Sequence, residues 1–354
     1  MKIIDLHIAK TILHYTLVVF AVLLGLFTFI TFVDQLSDLG TGRFGLWEAF
    51  RYVVLSSPKT IYEIFPMVAL LGSMLGLSSL AADSELLVIR AAGVSTNRLI
   101  VSVLKFGAIL VAVAIIIGEV ITPITETAAQ RGRAEALQQN IKQQTNYGLW
   151  MRDSKTYVNV SEVLPDLSLL KVRVFEFDDE SRLRSLVYAD SGDYEKDRWQ
   201  LQGIKQTFIN PESAESTTAT AAYWNTTVTP QILSVFLIKP DQLSAWQLWQ
   251  YINHLDDNHQ DTSAYRLAFW NKIITPFATA VMVILAIPFV FRQIRSGGLG
   301  RNLFIGIMLG LGFFVADKGF GYVVLVYDIY PLLGALIPTL AFLGVAMLML
   351  RRVY

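Results

Sequence analysis

Long apolar stretches without a charged residue dominate the first and last thirds of the chain. Thr11–Val33, Ile273–Phe291 and Ile329–Leu350 contain no Asp, Glu, Lys or Arg. Each is long enough to cross a bilayer core of about 30 Å as a helix. Ile64–Ala82 is a fourth such stretch, and Pro66 lies near its predicted start, where a helix tolerates proline best.

Two further apolar spans are interrupted by charges. Leu99–Thr122 contains Lys105 near one end and Glu119 near the other, where long side chains can reach the membrane interface. Asn302–Ala316 is followed by an acid and a lysine and then by a second apolar piece, Gly319–Tyr327. With these two spans, the sequence predicts six transmembrane helices.

The middle of the chain changes to strand patterns. Residues 126–144 are rich in Ala, Gln, Arg and Glu, so we expect the third helix to continue out of the bilayer. Lys171–Val174 and Arg182–Tyr188 then mix alternating and β-rich residues, with turn clusters between them. Such strands are typical of an antiparallel sandwich or open barrel. An amphipathic helix that leads back to the fourth span is marked by Leu243, Trp246, Trp249 and Ile252.

These patterns predict a membrane α-helical protein with six transmembrane helices and an inserted all-β, jellyroll-like domain. Residues 1–125 hold the first three membrane helices, and residues 273–354 hold the last three. Residues 126–272 form a region outside the bilayer, with the β domain near 148–240. The two halves show no sequence repeat, which disfavours an inverted-repeat transporter.

Composition supports a membrane protein and narrows the chemistry. Hydrophobic residues make up 53% of the chain and charged residues 16%, and the mean hydropathy is +0.47. A soluble chain usually carries about 25% charged residues. The net charge is zero, so nothing points to nucleic acid as a partner. The absence of cysteine excludes disulfides, zinc–thiolate sites and thiol catalysis.

Basic residues in the short loops predict the orientation in an inner membrane. If both termini are cytoplasmic, the cytoplasmic segments carry nine basic residues, and they are Lys2, Lys10, Arg90, Arg98, Arg292, Arg295, Arg301, Arg351 and Arg352. The short outer loops carry four, and they are Arg43, Arg51, Lys59 and Lys318. We therefore expect both termini in the cytoplasm and the large central loop in the periplasm.

No pattern in the sequence predicts catalysis, a cofactor or a metal. The glycine-rich stretch Ser296–Arg301 lacks the lysine of a nucleotide-binding loop, so a flexible turn is favoured and any ATP hydrolysis belongs to another subunit. His254 and His259 flank Asp256 and Asp257. Imidazoles and carboxylates can hold a metal, but this spacing matches no known motif and favours a solvated turn.

Three cations lie just outside the predicted bilayer core, at the level of outer-leaflet headgroups. Lys59 precedes the second span, and Arg131 and Arg133 lie on the extension of the third. Lysine and arginine at this depth bind lipid phosphates. The two arginines cannot share one helix face, and Arg133 is favoured because its small neighbours leave room. The alternative is that these cations pair with surface acids or anchor the protein at the interface.

Two other features concern helix contacts. Gly72-x-x-x-Gly76 and Gly306-x-x-x-Gly310 permit close helix approach, and packing within the chain is favoured over a seam with a second subunit. Between the second and third spans, we expect a short amphipathic cytoplasmic helix near residues 83–95, with Asp83 or Ser84 as its N-cap. Such a helix can contact a cytoplasmic partner.

Several residue groups then occur in an order that is informative. They are Phe32–Leu36, Pro58-Lys59, Phe65-Pro66-Met67, Ser84-Glu85-Leu86 with Ala91-Ala92-Gly93, and Gly118-Glu119. Together with the order of three helices, outer domain and three helices, these groups resemble the LptF/LptG family of lipopolysaccharide export permeases. The Asp-Gln-Leu and Pro-Lys elements are more similar to the LptG branch. Where some relatives carry lysines after the first helix, this chain has Thr31, Ser37 and Asp38.

The resemblance implies a β-jellyroll periplasmic domain and a heterodimer with an LptF permease. It also implies an LptB ATPase dimer, LptC with its single membrane helix, and a periplasmic LptA bridge. Lipopolysaccharide leaves the outer leaflet of the inner membrane and passes between jellyrolls.

The resemblance places Ser84, Glu85, Leu86 and Gly93 in the helix that couples the permease to its ATPase. From their depth in the membrane, Lys59, Arg133 and Arg131 are the candidates for binding the lipid headgroup. We expect a cavity lined by Phe65, Leu70, Phe313 and Phe314 to keep the acyl chains away from water, and the inward-facing Val172 and Val174 to contact lipid in the β domain.

Competing functions have less support. A secondary transporter needs an ionisable site at the centre of a span, and the predicted spans have none there. An enzyme acting on lipids or sugar phosphates needs a group of catalytic residues, and none is visible in the sequence. A permease or scaffold of another ATP-driven lipid or mechanotransmission system remains the alternative, since it shares the coupling helix but not the ordered motifs.

Overall fold

The computed structural model describes residues 3–137, 149–153, 155–163, 168–178, 180, 182–195, 198–210, 213–224, 226, 240–257, 261–292 and 299–351. Within these ranges the helices are α1 Ile3–Gln35, α2 Leu46–Ala82, α3 Glu85–Ala91, α4 Thr96–Ile116, α5 Thr122–Ala136, α6 Ala245–Asp257, α7 Ser263–Arg292, α8 Leu299–Val326 and α9 Pro331–Leu350. The strands are β1 Leu149–Asp153, β2 Thr156–Val163, β3 Leu169–Phe177, β4 Leu183–Glu195, β5 Arg198–Ile209 and β6 Ala214–Trp224. A π turn, Ile117–Ile121, joins α4 to α5.

The described helices include six that are long and apolar enough to span a membrane, which confirms the predicted number. They cover Ile3–Asp38, Leu46–Ala82, Thr96–Arg133, Ser263–Phe289, Gly300–Val326 and Pro331–Leu350. The two apolar pieces of the fifth span form one helix, α8. Because successive spans alternate in direction, α1 begins and α9 ends at the same end of the bundle, which we call the terminal end. The β domain lies at the other end, the β-domain end.

The second span differs from the prediction. Pro66 does not lie near the helix start, because α2 already begins at Leu46 and contains both Pro58 and Pro66. A proline inside a helix leaves the carbonyl four residues earlier without its N–H donor. At Pro58 that carbonyl belongs to Val54, and the Ser57 hydroxyl donates to it at 2.8 Å. A neighbouring side chain thus replaces the missing hydrogen bond.

The helices are buried to very different degrees. In the apolar window of α2, 78% of the residues are buried, and in that of α7 67% are, so these two helices form the centre of the bundle. The corresponding figures are only 11% for the α1 span and 17% for the α8 span. Exposed apolar helix surface on this scale needs lipid or another membrane helix against it.

Both glycine motifs pack within the chain. A Cβ at Gly76 would lie 2.7 Å from the Ile12 Cα, and a Cβ at Gly72 would lie 2.5 Å from the Thr16 Cα, so α1 crosses directly over α2. Gly306 and Gly310 face the side chains of α2. This confirms the prediction of internal packing, because without a side chain the two backbones approach closely.

The strands form one antiparallel sheet in the order β1-β2-β3-β4-β5-β6, which confirms the inserted β domain. In β3, Val172 pairs with Val160 on one side and Ala189 on the other. Val172 and Val174 are buried in the core of this domain, whereas Arg173 between them is exposed. The alternation follows from the two-residue period of a strand. Strands β4 to β6, at 13, 12 and 11 residues, are longer than the short strands that were expected.

Helix α6 confirms the amphipathic segment, but of the four predicted apolar residues only Leu243 and Ile252 are buried. Leu248, Tyr251 and Leu255 pack in a small core with α7. Trp246 and Trp249 are exposed and stack on each other, with ring centroids 5.1 Å apart. The predicted tryptophans therefore point outward, where indole rings suit a membrane interface.

Candidate functional site

Four charged side chains meet at the β-domain end of the bundle. The Lys59 Nζ lies 2.7 Å from the Asp241 Oδ2 and 4.0 Å from the Glu63 Oε1. The Lys318 Nζ lies 3.8 Å from the same Glu63 oxygen and 5.9 Å from the centroid of the Phe314 ring. These residues, Lys59, Glu63, Asp241 and Lys318, form what we call the lysine–acid cluster.

An amphipathic cavity of about 80 Å³ adjoins this cluster between α2, α7, α8 and α9. Its apolar wall is formed by Pro66, Met67, Ile274, Ala278, Phe313 and Phe314. Its polar wall is formed by Glu63, Asp241, Lys272, Asp317 and Lys318. Such a cavity offers charge to a headgroup and an apolar surface to the chain attached to it.

A buried lysine supports one wall of the cavity. Lys272 is 5% exposed, donates to the Gly118 carbonyl at 2.8 Å and lies 4.9 Å from the centroid of the Tyr62 ring. Gly118 belongs to the π turn, and a Cβ there would overlap the Tyr62 ring. The next residue, Glu119, accepts a hydrogen bond from the Ala245 N–H at 2.8 Å. The π turn therefore contacts α2, α7 and the start of α6. Turns of this type are frequent at functional sites.

The two arginines of α5 differ as the sequence predicts. Arg133 points into the bundle, where it donates to the Gln35 side chain at 2.9 Å and to the Asp38 carboxylate at 2.5 Å. Its guanidinium also lies 5.7 Å from the centroid of the Tyr52 ring. Arg131 is exposed, and within the described chain it has no acidic partner. Arg133 pairs with the end of α1, not with the surface acids considered from the sequence.

The structure separates the aromatic residues that were grouped in one cavity. Phe313 and Phe314 line the amphipathic cavity. Phe65 instead lines a groove of about 600 Å³ between α1, α2 and α4. Leu70 is fully buried between α2 and α7. Two apolar spaces therefore lie on opposite sides of α2, because successive residues of a helix face different directions.

The short helix α3 lies at the terminal end. Ser84 precedes it with a φ of 61°. The Ser84 hydroxyl does not accept the predicted capping hydrogen bond from a backbone N–H of the first turn. This left-handed conformation carries the Ser84 side chain away from the first turn. Gly93 follows the helix with a φ of 86°, a conformation that glycine adopts without strain. The turns at both ends fix α3 between the second and third spans.

Some side chains of α3 pack into the bundle, and others are exposed to solvent. Leu86 is fully buried in the bundle core, so it anchors the helix and does not face a partner. Leu87 and Val88 are 58% and 65% exposed. Glu85 lies in the first turn with 41% of its side chain exposed. An acid beside two exposed apolar side chains is a surface suited to another protein.

A polar network that the sequence did not predict holds α1 against α3 and α4. The His7 Nε2 and the Glu85 Oε2 are 2.6 Å apart. Asp5 is 1% exposed and accepts a hydrogen bond from the Ser102 hydroxyl at 2.6 Å. Its carboxylate also contacts Arg98 and Lys105, each at 3.3 Å. A buried acid needs such partners, and the distances in sequence explain why no local pattern revealed them.

The acidic turn between α6 and α7 has structural contacts. Asp256 pairs with Arg266 at 2.7 Å. Asp261 accepts hydrogen bonds from the Ser263 N–H and hydroxyl, and these keep the pKa of its carboxyl below the usual value. The described residues contain no cluster of three metal-ligating side chains. His259 and residues 296–298 of the glycine-rich stretch lie outside the described residues, and the rest of that stretch begins α8.

Comparison with known proteins identifies the family. The family model described as "Lipopolysaccharide export system permease LptF/LptG" matches residues 6–352. The chain is 35% identical over 353 residues to the lipopolysaccharide export system permease protein LptG of Escherichia coli strain K12, which covers 99% of this chain and 98% of the relative. It is 34% identical over 350 residues to LptG of Haemophilus influenzae, covering 98% of each. The chain belongs to the LptF/LptG family of lipopolysaccharide export system permeases.

Proposed function

We propose that this permease extracts lipopolysaccharide from the outer leaflet of the inner membrane and passes it to its β domain, toward a periplasmic bridge and the outer membrane. The observation that carries the proposal is the lysine–acid cluster beside the amphipathic cavity at the β-domain end. Charged groups meet an apolar wall there, as a phosphorylated lipid requires. The named relatives are export permeases of the same family.

The proposed orientation follows from the charges and the bundle. The chain is a multi-pass inner-membrane protein. With the terminal end in the cytoplasm, the basic short loops are cytoplasmic, and the β domain is periplasmic. The lysine–acid cluster then lies at the outer leaflet, and α3 lies where a cytoplasmic protein can reach it.

Lipid extraction needs an energy source outside this chain. Moving each acyl CH₂ into water costs roughly 0.8 kcal/mol, so a lipid with several chains does not leave the bilayer unaided. We assign ATP hydrolysis to an LptB dimer that contacts α3 through Glu85, Leu87 and Val88, with Ser84 and Gly93 setting the position of the helix. This chain is then a transport subunit and not itself an enzyme.

The remaining partners are assigned to exposed surfaces. The apolar faces of α1 and α8 suit an LptF permease and the membrane helix of LptC. Lipopolysaccharide is proposed to contact Lys59 and Arg133 with its phosphates, and the Phe313 and Phe314 wall or the Phe65 groove with its chains. Beyond the membrane, the interior of the β sheet around Val172 and Val174 offers the next apolar surface, on the way to LptA.

Replacing Arg133 with Gln tests the headgroup part of this route. Glutamine can keep a hydrogen bond to Asp38 but carries no charge, so lipid phosphate loses a charge-assisted contact worth about 1.5–3 kcal/mol. In vesicles that contain the full complex, we expect lipopolysaccharide release to fall by roughly tenfold or more. Basal ATPase activity should persist.

The matched control is Arg131→Gln, two residues away on the same helix. Because Arg131 is exposed and has no acidic partner in the described chain, this change should leave release near normal. Normal release by Arg133→Gln, or equal losses in both variants, would reject Arg133 as a lipid contact.

A further inference from the structure

We propose that Asp241 competes with the lipid phosphate for Lys59, so that headgroup binding displaces the Asp241 side chain from the entrance of the amphipathic cavity. This inference rests on the proposed function, because it takes Lys59 as a headgroup contact. It assigns Asp241 a role as an internal counter-ion that a lipid phosphate displaces.

The positive charge of Lys59 is already compensated by two carboxylates, which disfavours the binding of a further anion. Its side chain is 20% exposed, and its ammonium already meets Asp241 at 2.7 Å and Glu63 at 4.0 Å. A lysine ammonium is a compact point charge. A phosphate added beside both carboxylates would repel them, and like charges at such distances are unfavourable. One carboxylate must therefore leave when the phosphate arrives.

Asp241 is the carboxylate that can leave. Glu63 lies one turn from Lys59 on the same helix and also contacts Lys318 at 3.8 Å, so its position is fixed by α2. Asp241 belongs to the short 3₁₀ turn Pro240–Gln242, and 45% of its side chain is exposed.

The balance of charge favours replacement of Asp241 by a phosphate over the loss of Asp241 alone. Lys59 and Lys318 face Glu63 and Asp241, so the lysine–acid cluster has two cations and two anions. If Asp241 withdraws, Glu63 is the only described acid that remains within 4.0 Å of either lysine, since Glu126 and Asp317 act on them without an ion-pair contact. The Lys59 ammonium then has a vacant contact that an anion can fill. A phosphate restores the balance that Asp241 provided. Lys272 and Asp317 on the same cavity wall remain in place during this exchange.

The position of Asp241 connects the exchange to the cavity entrance. Its side chain lines the amphipathic cavity, so its departure widens the entrance. Two residues later, Leu243 is 2% exposed in the core that α6 and α7 share. Beyond it, the Ala245 N–H is held by Glu119. The chain after Asp241 is thus anchored to the bundle, so the exchange moves the Asp241 side chain and leaves α6 in place.

The test uses Asp241→Asn in the complete permease–ATPase complex in lipid nanodiscs. Asparagine keeps the shape but removes the charge that competes for Lys59. We expect the Kd for purified lipopolysaccharide to fall by roughly three- to tenfold, the range of a partly screened ion pair. Lys59→Gln should raise the Kd, and the double variant should match Lys59→Gln, because no competition remains to be removed.

Asp256→Asn is the matched control. Asp256 is also ion-paired at 2.7 Å and its side chain is 42% exposed, but it does not line the cavity. The Kd of this variant for lipopolysaccharide should therefore equal that of the wild type. If Asp241→Asn melts early, Asp241→Ser replaces it. An unchanged or higher Kd for the neutral Asp241 variant, together with weaker binding by Lys59→Gln, overturns the competition and leaves the headgroup site intact. Normal binding by Lys59→Gln instead overturns the headgroup contact itself.

Discussion

Lysine in place of Glu85 is expected to stop lipopolysaccharide export almost completely while the chain still inserts and folds. Glu85 is half-exposed at the first turn of α3, beside the exposed Leu87 and Val88. If this surface contacts the ATPase, the reversed charge replaces an attraction with a repulsion. Truncating one partner of a buried charge pair at an interface costs about 2–5 kcal/mol, and reversal adds to that loss. Recovery of the ATPase with a tagged permease and lipid release from vesicles measure the effect.

Two control variants separate docking from local structure. His7→Gln disturbs the contact between α1 and Glu85 but keeps the acid, so the ATPase should still bind. Glu215→Lys makes the same charge change on the exposed strand β6 and should leave both measurements unchanged. Normal ATPase recovery and normal release by Glu85→Lys would rule out α3 as the coupling helix.

A photo-crosslinking residue at Val174 is expected to capture lipopolysaccharide only when ATP is present. Val174 is 2% exposed and packs with other buried side chains of the β domain. The interior of the sheet is therefore closed in this structure, and a lipid chain must displace packed side chains to enter. Because that displacement costs free energy, we expect capture to depend on ATP hydrolysis. Gel mobility of the crosslinked product measures it.

Arg173 provides the control for this experiment. It lies next to Val174 on the same strand, but its side chain is exposed on the opposite face, so it should capture little lipid with or without ATP. If the larger residue at Val174 destabilises the domain, Ile204, which is 7% exposed in the same core, offers a second interior position. Capture at both interior positions without ATP would indicate passive binding.

The helices were predictable because the bilayer imposes a simple rule on sequence. A span needs a long apolar stretch, and six such stretches are visible in the chain. The true length of α2 was not predictable in this way, because Lys59 and Glu63 interrupt its apolar pattern. Their charges are compensated by Asp241 and Lys318, which are distant in sequence. A pattern of one segment contains no information about such partners.

The candidate site, too, was predictable only in part from the sequence. Lys59 and Arg133 could be proposed from residue type and depth alone. Their acidic partners Asp241 and Asp38 could not, since these contacts depend on how the bundle and the chain returning from the β domain pack. Leu86 is a further example: its place in a motif suggested a coupling role, and the structure adds that its side chain is buried in the bundle core.

Depletion of the permease in living cells shows whether it moves lipopolysaccharide out of the inner membrane. Newly made lipopolysaccharide is pulse-labelled after the permease is depleted, and inner and outer membranes are then separated. We expect labelled lipopolysaccharide to accumulate in the outer leaflet of the inner membrane, and we expect the wild-type chain, but not Glu85→Lys, to restore its transfer. If labelled lipopolysaccharide reaches the outer membrane at the normal rate in depleted cells, this permease does not carry out the export.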